Sequence, residues 1–163
     1  MNTLKIYTAS SWKNQYYPLI VYKLIKEGYQ VYDFRTAIST IGHKEAFDWV
    51  QVSKDWENWT TSEFIFHLHD ALCVNAFNSD LKGMQESDIC LLILPSGKSS
   101  HIEAGYMKGL GKKLFIFAPD NTRPELTYSL ADNIFIKFQD LLDAPFPKMK
   151  LGFSLLVMSV QIL

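Results

Sequence analysis

The run Ile89-Cys90-Leu91-Leu92-Ile93-Leu94 is apolar without interruption. A strand with one face in water alternates polar and apolar residues. A continuous apolar run belongs in a sheet covered on both faces. Such a sheet is parallel, and parallel strands are joined by long crossovers, usually helices. The flanks of the run agree. NSDLKGMQESD before it and SSHIEAGYMKGLG after it have helical spacing, the second ending at Gly111.

The same alternation extends in both directions. LKIYTA reads as a first strand and QVYDF as a second. Between them YYPLIVYKLIKEGY carries apolar residues at helical spacing (Leu19, Ile20, Tyr22, Leu24, Ile25) and stops at Gly28. TSEFIFHLHDALCVN reads as a helix capped by Thr61 or Ser62, KLFIFA as a strand and DNIFIKF as the last strand. The segment from Arg35 to Thr61 is irregular and aromatic-rich. Five strands separated by helices predict an α/β domain: a central parallel five-stranded sheet with helices on both faces. The 163 residues suit one domain, 1–163. Its end, LGFSLLVMSVQIL within the atypical apolar tail 145–163, is too short to cross a bilayer and is expected to pack on the domain or on a partner chain.

Charge and cysteine content narrow the function. Sixteen basic and seventeen acidic residues give a net charge of −1, so no broad basic surface favours nucleic acid. Cys73 and Cys90 do not make a disulfide framework. MNTLKIYTAS lacks the apolar core of a signal peptide, and a cytoplasmic location is expected.

Ligands of such sheets bind at the carboxyl ends of the strands. The loops there carry Ser10 and Ser11, Asp33 and Arg35, and Ser96 to His101. PSGKSSHIEAGY superficially suggests a triphosphate loop. That loop needs a first glycine five residues before Gly97, and Leu92 stands there. A start of the following helix at Ser99 or Ser100 leaves Glu103 in the first turn, where the helix dipole favours a carboxylate. Two readings stay open on residues alone: Glu103 as a nucleophile, or as an ordinary acidic residue at a helix start.

Two segments, AFNSDLKGMQESDICLLIL and PSGKSSHIEAGYMKGLGKKLFIF, resemble the nucleoside 2-deoxyribosyltransferase-like family, and the resemblance runs from KIYTAS to about Leu142. PSGKSSHIEAGY is particularly close to a subgroup of uncharacterised relatives. The resemblance implies a flavodoxin/Rossmann-like domain acting on the N-glycosidic bond of a nucleoside or nucleotide. It implies that Glu103, in the E-x-G-Y stretch, attacks the anomeric carbon and that Asp80 contacts the sugar or assists proton transfer. Asp88 also fits the pattern but, just before a strand, suits a structural role. The resemblance further implies a homo-oligomer.

One departure matters. The family's loop acid is missing: Ser96, Gly97, Lys98, Ser99, Ser100 and His101 contain none. Base protonation then falls to Asp80, to His101 or to a neighbouring subunit. Lys98 and the serines suit a phosphate, which favours a nucleoside 5′-monophosphate.

The chemistry fits these groups. Breaking a C–N glycosidic bond builds positive charge on the sugar, which a carboxylate stabilises or captures. The departing base needs a proton. Trp49 is the better candidate to stack on a base; Phe47, Trp56 and Trp59 suit a satellite hydrophobic cluster. Ser10, Ser11, Asp33 and Arg35 are candidate substrate contacts. His67, His69 and Cys73 do not make a metal site, and no cofactor is called for. The expected partner is a small-molecule nucleoside or nucleotide, with no nucleic acid and no membrane. Two alternatives remain: a non-catalytic nucleotide-binding module, and an NAD-cleaving glycosidase, whose nicotinamide leaves without protonation.

Overall fold

The computed structural model describes residues 4–35 and 46–144, with the backbone of 38–39 and 42–43. The apolar tail therefore lies outside the described residues. Strand β1 (Lys5–Ala9) leads to α1 (Tyr17–Lys26) and β2 (Gln30–Tyr32). A short antiparallel pair follows, β3 (Ile38–Ser39) and β4 (Gly42–His43). Then come α2 (Thr61–His67), α3 (Ala71–Glu86), β5 (Ile89–Ile93), α4 (Lys98–Gly109), β6 (Lys113–Phe117), β7 (Asn133–Phe135) and α5 (Phe138–Asp143).

Five strands form one sheet in the order β2-β1-β5-β6-β7, every pairing parallel. This is the flavodoxin/Rossmann-like arrangement expected above. The apolar run takes the centre, with all five residues of β5 buried. Its side chains alternate between two cores. Ile89, Leu91 and Ile93 pack with Tyr17, Ile20 and Leu24 of α1 and Leu141 of α5. Cys90 and Leu92 pack on the opposite face with Met84 of α3 and Ala104 and Met107 of α4. Cys73 and Cys90 are both buried free thiols, and burial pushes the Cys90 thiol well up.

Several boundaries differ from the sequence expectation. The helical stretch breaks at Leu68–Asp70, and a single helix then runs through the boundary expected near Ala76. The reason is local. Asp70 takes extended backbone (φ −61°, ψ 142°) and its carboxylate engages His67 Nδ1 at 2.8 Å, whereas Ala76 and Phe77 offer no helix stop. The cap of α2 is Thr60, one residue earlier than expected. Its hydroxyl accepts from Glu63 N, and Glu63 reaches back to Thr60 N. The last strand is shorter than DNIFIKF, because Phe138 already opens α5.

Asp132 secures the β7 edge. Its carboxylate accepts from Lys108 Nζ and Lys113 Nζ, both at 2.8 Å, and from Leu114 N at 2.9 Å. These donors hold its carboxyl well below the usual carboxylate range. The lowered folded-state pKa means that the stabilisation is complete above the ordinary aspartate pKa of about 3.9 and fades as pH falls below it. Asp132→Asn should cost about 1 kcal/mol at neutral pH, since both lysines reach from the solvent side. Urea unfolding of both proteins at pH 7 and pH 3 should show the difference shrinking in acid.

Candidate functional site

The carboxyl ends of β1 and β5 lie side by side, with Ala9 paired to Leu92. From this seam the chain winds outward both ways, to β2 on one side and β6 on the other. This is the crevice that open parallel sheets use for ligands. Here the two loops above the seam are tied together. Asn14 Nδ2 donates to the carbonyls of Ile93 and Pro95, each at 3.0 Å, and Asn14 Oδ1 accepts from Tyr16 N and Tyr17 N at the start of α1. Ser10 Oγ donates to Ile93 O at 2.8 Å, and Ser100 Oγ donates to Ser10 O at 2.7 Å. Arg35 Nη2 donates to the carbonyls of Ser11 (2.9 Å), Trp12 and Asn14 (3.1 Å). Asp33 Oδ1 accepts from Tyr17 O–H and from Arg35 N, each at 2.9 Å. Four residues expected to touch substrate (Ser10, Asp33, Arg35 and Ser100) thus have polar groups engaged in building the frame. Asp88 has the structural role foreseen for it, accepting from Lys5 N at 3.0 Å.

Glu103 and Asp80, from different helices, act on one buried pair of tyrosines. Tyr7 and Tyr32 are paired in register on β1 and β2, and their rings stack at 5.0 Å and 14°. Tyr32 O–H donates to Asp80 Oδ1 at 2.7 Å. Burial raises the Tyr7 phenol well above its ordinary pKa, and the negative charges of Glu103 and then Asp80 raise it further. Burial likewise raises Tyr32, with Asp80 contributing more than Glu103. Both phenols therefore stay protonated, as donors, at neutral pH. Glu103 and Asp80 are half-buried, neither sealed in the core nor fully in solvent.

Sequence reasoning missed Tyr7, Tyr32 and Asn14. The available signals were two polar-tipped aromatics inside otherwise aliphatic strands, and an asparagine shortly before a helix with Pro18 in its first turn. It also misplaced the start of α4. Gly97, not Ser99 or Ser100, is the N-cap, and Glu103 is the sixth helical residue rather than a first-turn one. The helix dipole falls off within the first turn, so it contributes little to Glu103.

Two positions apart on α4, His101 and Glu103 point about 200° from each other. His101 faces the β6–β7 side. Its Nδ1 lies 2.8 Å from Gly97 O and so carries the proton, leaving Nε2 to accept from Tyr128 O–H at 3.0 Å. A cleft of about 520 Å³ opens on that flank, lined by Pro95, Ser96, His101, Asn121, Arg123 and Tyr128 among others. Neither carboxylate lines it, so the large cleft and the acidic pair are separate features. Ser96 Oγ is buried and has no hydrogen-bond partner among the described residues. Gly97, Lys98 and Ser99 are exposed at the helix start, and Ser11 is half-buried. Trp49 lies within the aromatic cluster, its ring 5.0 Å from Phe47, 6.5 Å from Trp56 and 5.8 Å from Trp59. Trp59 in turn stacks on His67 at 4.2 Å.

No protein-family model matches the chain. No curated protein matches it either. Solved structures do. A 2-deoxyribosyltransferase from Bacillus psychrosaccharolyticus aligns over 87% of this chain and 93% of its own, at 19% identity and a TM-score of 0.57. A conserved protein from Enterococcus faecalis V583 aligns over 87% and 96%, at 13% identity and a TM-score of 0.53. This chain shares their fold.

Asn14 joins both loops and the α1 terminus through one side chain. Asn14→Ala leaves the Pro95 carbonyl and two backbone N–H groups without these partners. The loss should be about 2–3 kcal/mol, read by urea unfolding. An unchanged midpoint would show that the brace is dispensable.

Proposed function

We propose that this chain belongs to the nucleoside 2-deoxyribosyltransferase-like family and cleaves or transfers the N-glycosidic bond of a nucleoside or nucleoside 5′-monophosphate. The observation that carries this reading is the convergence of Glu103 and Asp80 on the buried Tyr7–Tyr32 pair, on the fold shared with a 2-deoxyribosyltransferase. The resemblance of PSGKSSHIEAGY supports the same assignment.

In the proposed reaction a Glu103 carboxylate oxygen bonds to the anomeric carbon as the C–N bond breaks. The base departs with the bonding electrons and receives a proton. Water, or a second base, then attacks the anomeric carbon and releases Glu103. Tyr7, kept protonated beside both carboxylates, supplies a fixed dipole to this wall. Asp80 serves the sugar or the base. His101, turned to the other flank and bonded to Tyr128, is the weaker candidate for protonating the base.

The test is turnover of a panel of deoxynucleosides, nucleoside 5′-monophosphates and NAD, with and without a second free base. Glu103→Gln should lower turnover by roughly 10³-fold or more with the fold intact. A variant as active as the wild type would refute the role of Glu103. Transfer to the second base distinguishes a transferase from a hydrolase.

Ser96, Gly97, Lys98 and Ser99 form the proposed phosphate end of the site, with the N–H groups of α4 as donors. Lys98→Ala should raise KM for monophosphates about tenfold and leave KM for unphosphorylated nucleosides unchanged. Equal effects on both would remove the phosphate from this loop.

We also propose a homo-oligomer. Light scattering on the full chain should give at least a dimer; a monomer at micromolar concentration would overturn this.

A further inference from the structure

The placement of Tyr32 has a cost that core packing alone does not explain. Phenylalanine would fill the same space without a hydroxyl to satisfy. That hydroxyl is met by Asp80 at 2.7 Å and, more weakly, by Ser79 at 3.3 Å. Asp80 sits in the interior of α3, where aspartate is a poor helix former. Residues 76, 77, 83 and 84, one turn away on either side, are Ala, Phe, Gly and Met, so no cation stands one turn from it on its own helix.

One turn on, Gly83 is a second unfavourable helical residue, costing about 1 kcal/mol relative to alanine. Its reason is visible. A Cβ at position 83 would lie 2.6 Å from Tyr32 Cδ2. The helix therefore approaches the tyrosine edge as closely as only glycine permits. Tyr7 stacks on the ring from β1. Two helix-disfavoured residues, three apart on one face, are arranged around a single buried phenol.

We propose that Tyr32 is a positioning residue that acts through Asp80: wedged between Tyr7 and Gly83, it donates to Asp80 Oδ1 and fixes that carboxylate at the reacting wall beside Glu103. This assignment rests on the glycosidic-bond reading above. It adds a residue that neither the sequence motifs nor a contact with substrate would identify. Ser79, at its longer distance, is a bystander.

The test is a double-mutant cycle on the panel's best substrate. Tyr32→Phe keeps the ring and its packing and removes only the donor. A lost hydrogen bond to a charged group corresponds to roughly a 10- to 100-fold fall in kcat/KM. The fall should lie mainly in kcat, because positioning and not ground-state binding is lost. In an Asp80→Asn background the same substitution should change kcat/KM by less than about twofold, since contacting residues acting as a unit are not additive. Gly83→Ala, which displaces the ring but leaves the hydroxyl, is the second variant and should lower kcat in the same direction. Ser79→Ala should match the wild type. Thermal unfolding verifies that each variant is folded.

A wild-type rate for Tyr32→Phe, or losses that add across the cycle, would overturn the assignment. A wild type inert on the whole panel would overturn the glycosidic reading and this inference together. A Glu103→Gln protein that is dead beside a Tyr32→Phe protein that is fully active would overturn this inference alone.

Discussion

Everything at the candidate site hangs from the pairing of β1 with β5. The two central strands share four register pairs, from Ile6–Ile89 to Ala9–Leu92, and the connections leave that seam in opposite directions. Parallel pairing leaves backbone groups unmatched where such strands end, and buried carbonyls need donors. Ile93 O receives two, from Ser10 and Asn14, and Pro95 O receives one from Asn14. The same Asn14 accepts from the Tyr16 and Tyr17 N–H groups at the start of the first helix. Loops fixed this way set where α4 begins, and α4 carries Glu103.

On this frame the sheet itself becomes part of the site. Most inward positions on the α3–α4 face are aliphatic or sulfur-bearing, but Tyr7 and Tyr32 bring two hydroxyls to the wall near both carboxylates. Desolvation and the two negative charges act in the same direction on a phenol: both oppose its ionisation. The result is a pair of neutral donors in a low-dielectric wall, where oriented dipoles count for more than in water.

The fold was legible because it rests on patterns with a clear period. The apolar run at 89–94 announced a central strand, and Gly28 and Gly111 marked helix ends with positive φ of 89° and 77°. The two candidate carboxylates were singled out through motif resemblance. The boundary at Asp70 was not, because a histidine–aspartate pair three residues apart reads equally well as a helical face. Nor was the division of labour among polar loop residues. Serine, aspartate and arginine at strand ends have the same composition whether they bind substrate or backbone. Only their partners separate the cases, and for Ser10, Asp33, Arg35 and Ser100 the observed partners are frame atoms. Tyr32 stayed hidden for a related reason: a strand tyrosine is unremarkable until the helix opposite is seen to carry aspartate and glycine toward it.

Helix α4 therefore serves two sides at once. Its buried stripe, Ser100, Ala104 and Met107, follows the helical period and holds it to the sheet. Glu103 and Tyr106 turn toward α3, with Tyr106 O–H accepting weakly from Gln85 at 3.4 Å. His101 and Lys108 turn the other way, to Tyr128 and Asp132 beyond β6. Those two contacts pin the helix laterally against the β6–β7 edge. A shift of α4 toward the β6–β7 edge would carry Glu103 away from the Tyr7 side, and a shift the other way would stretch the bonds to Tyr128 and Asp132. The position of the candidate nucleophile is thus restrained from the flank opposite to the one it faces.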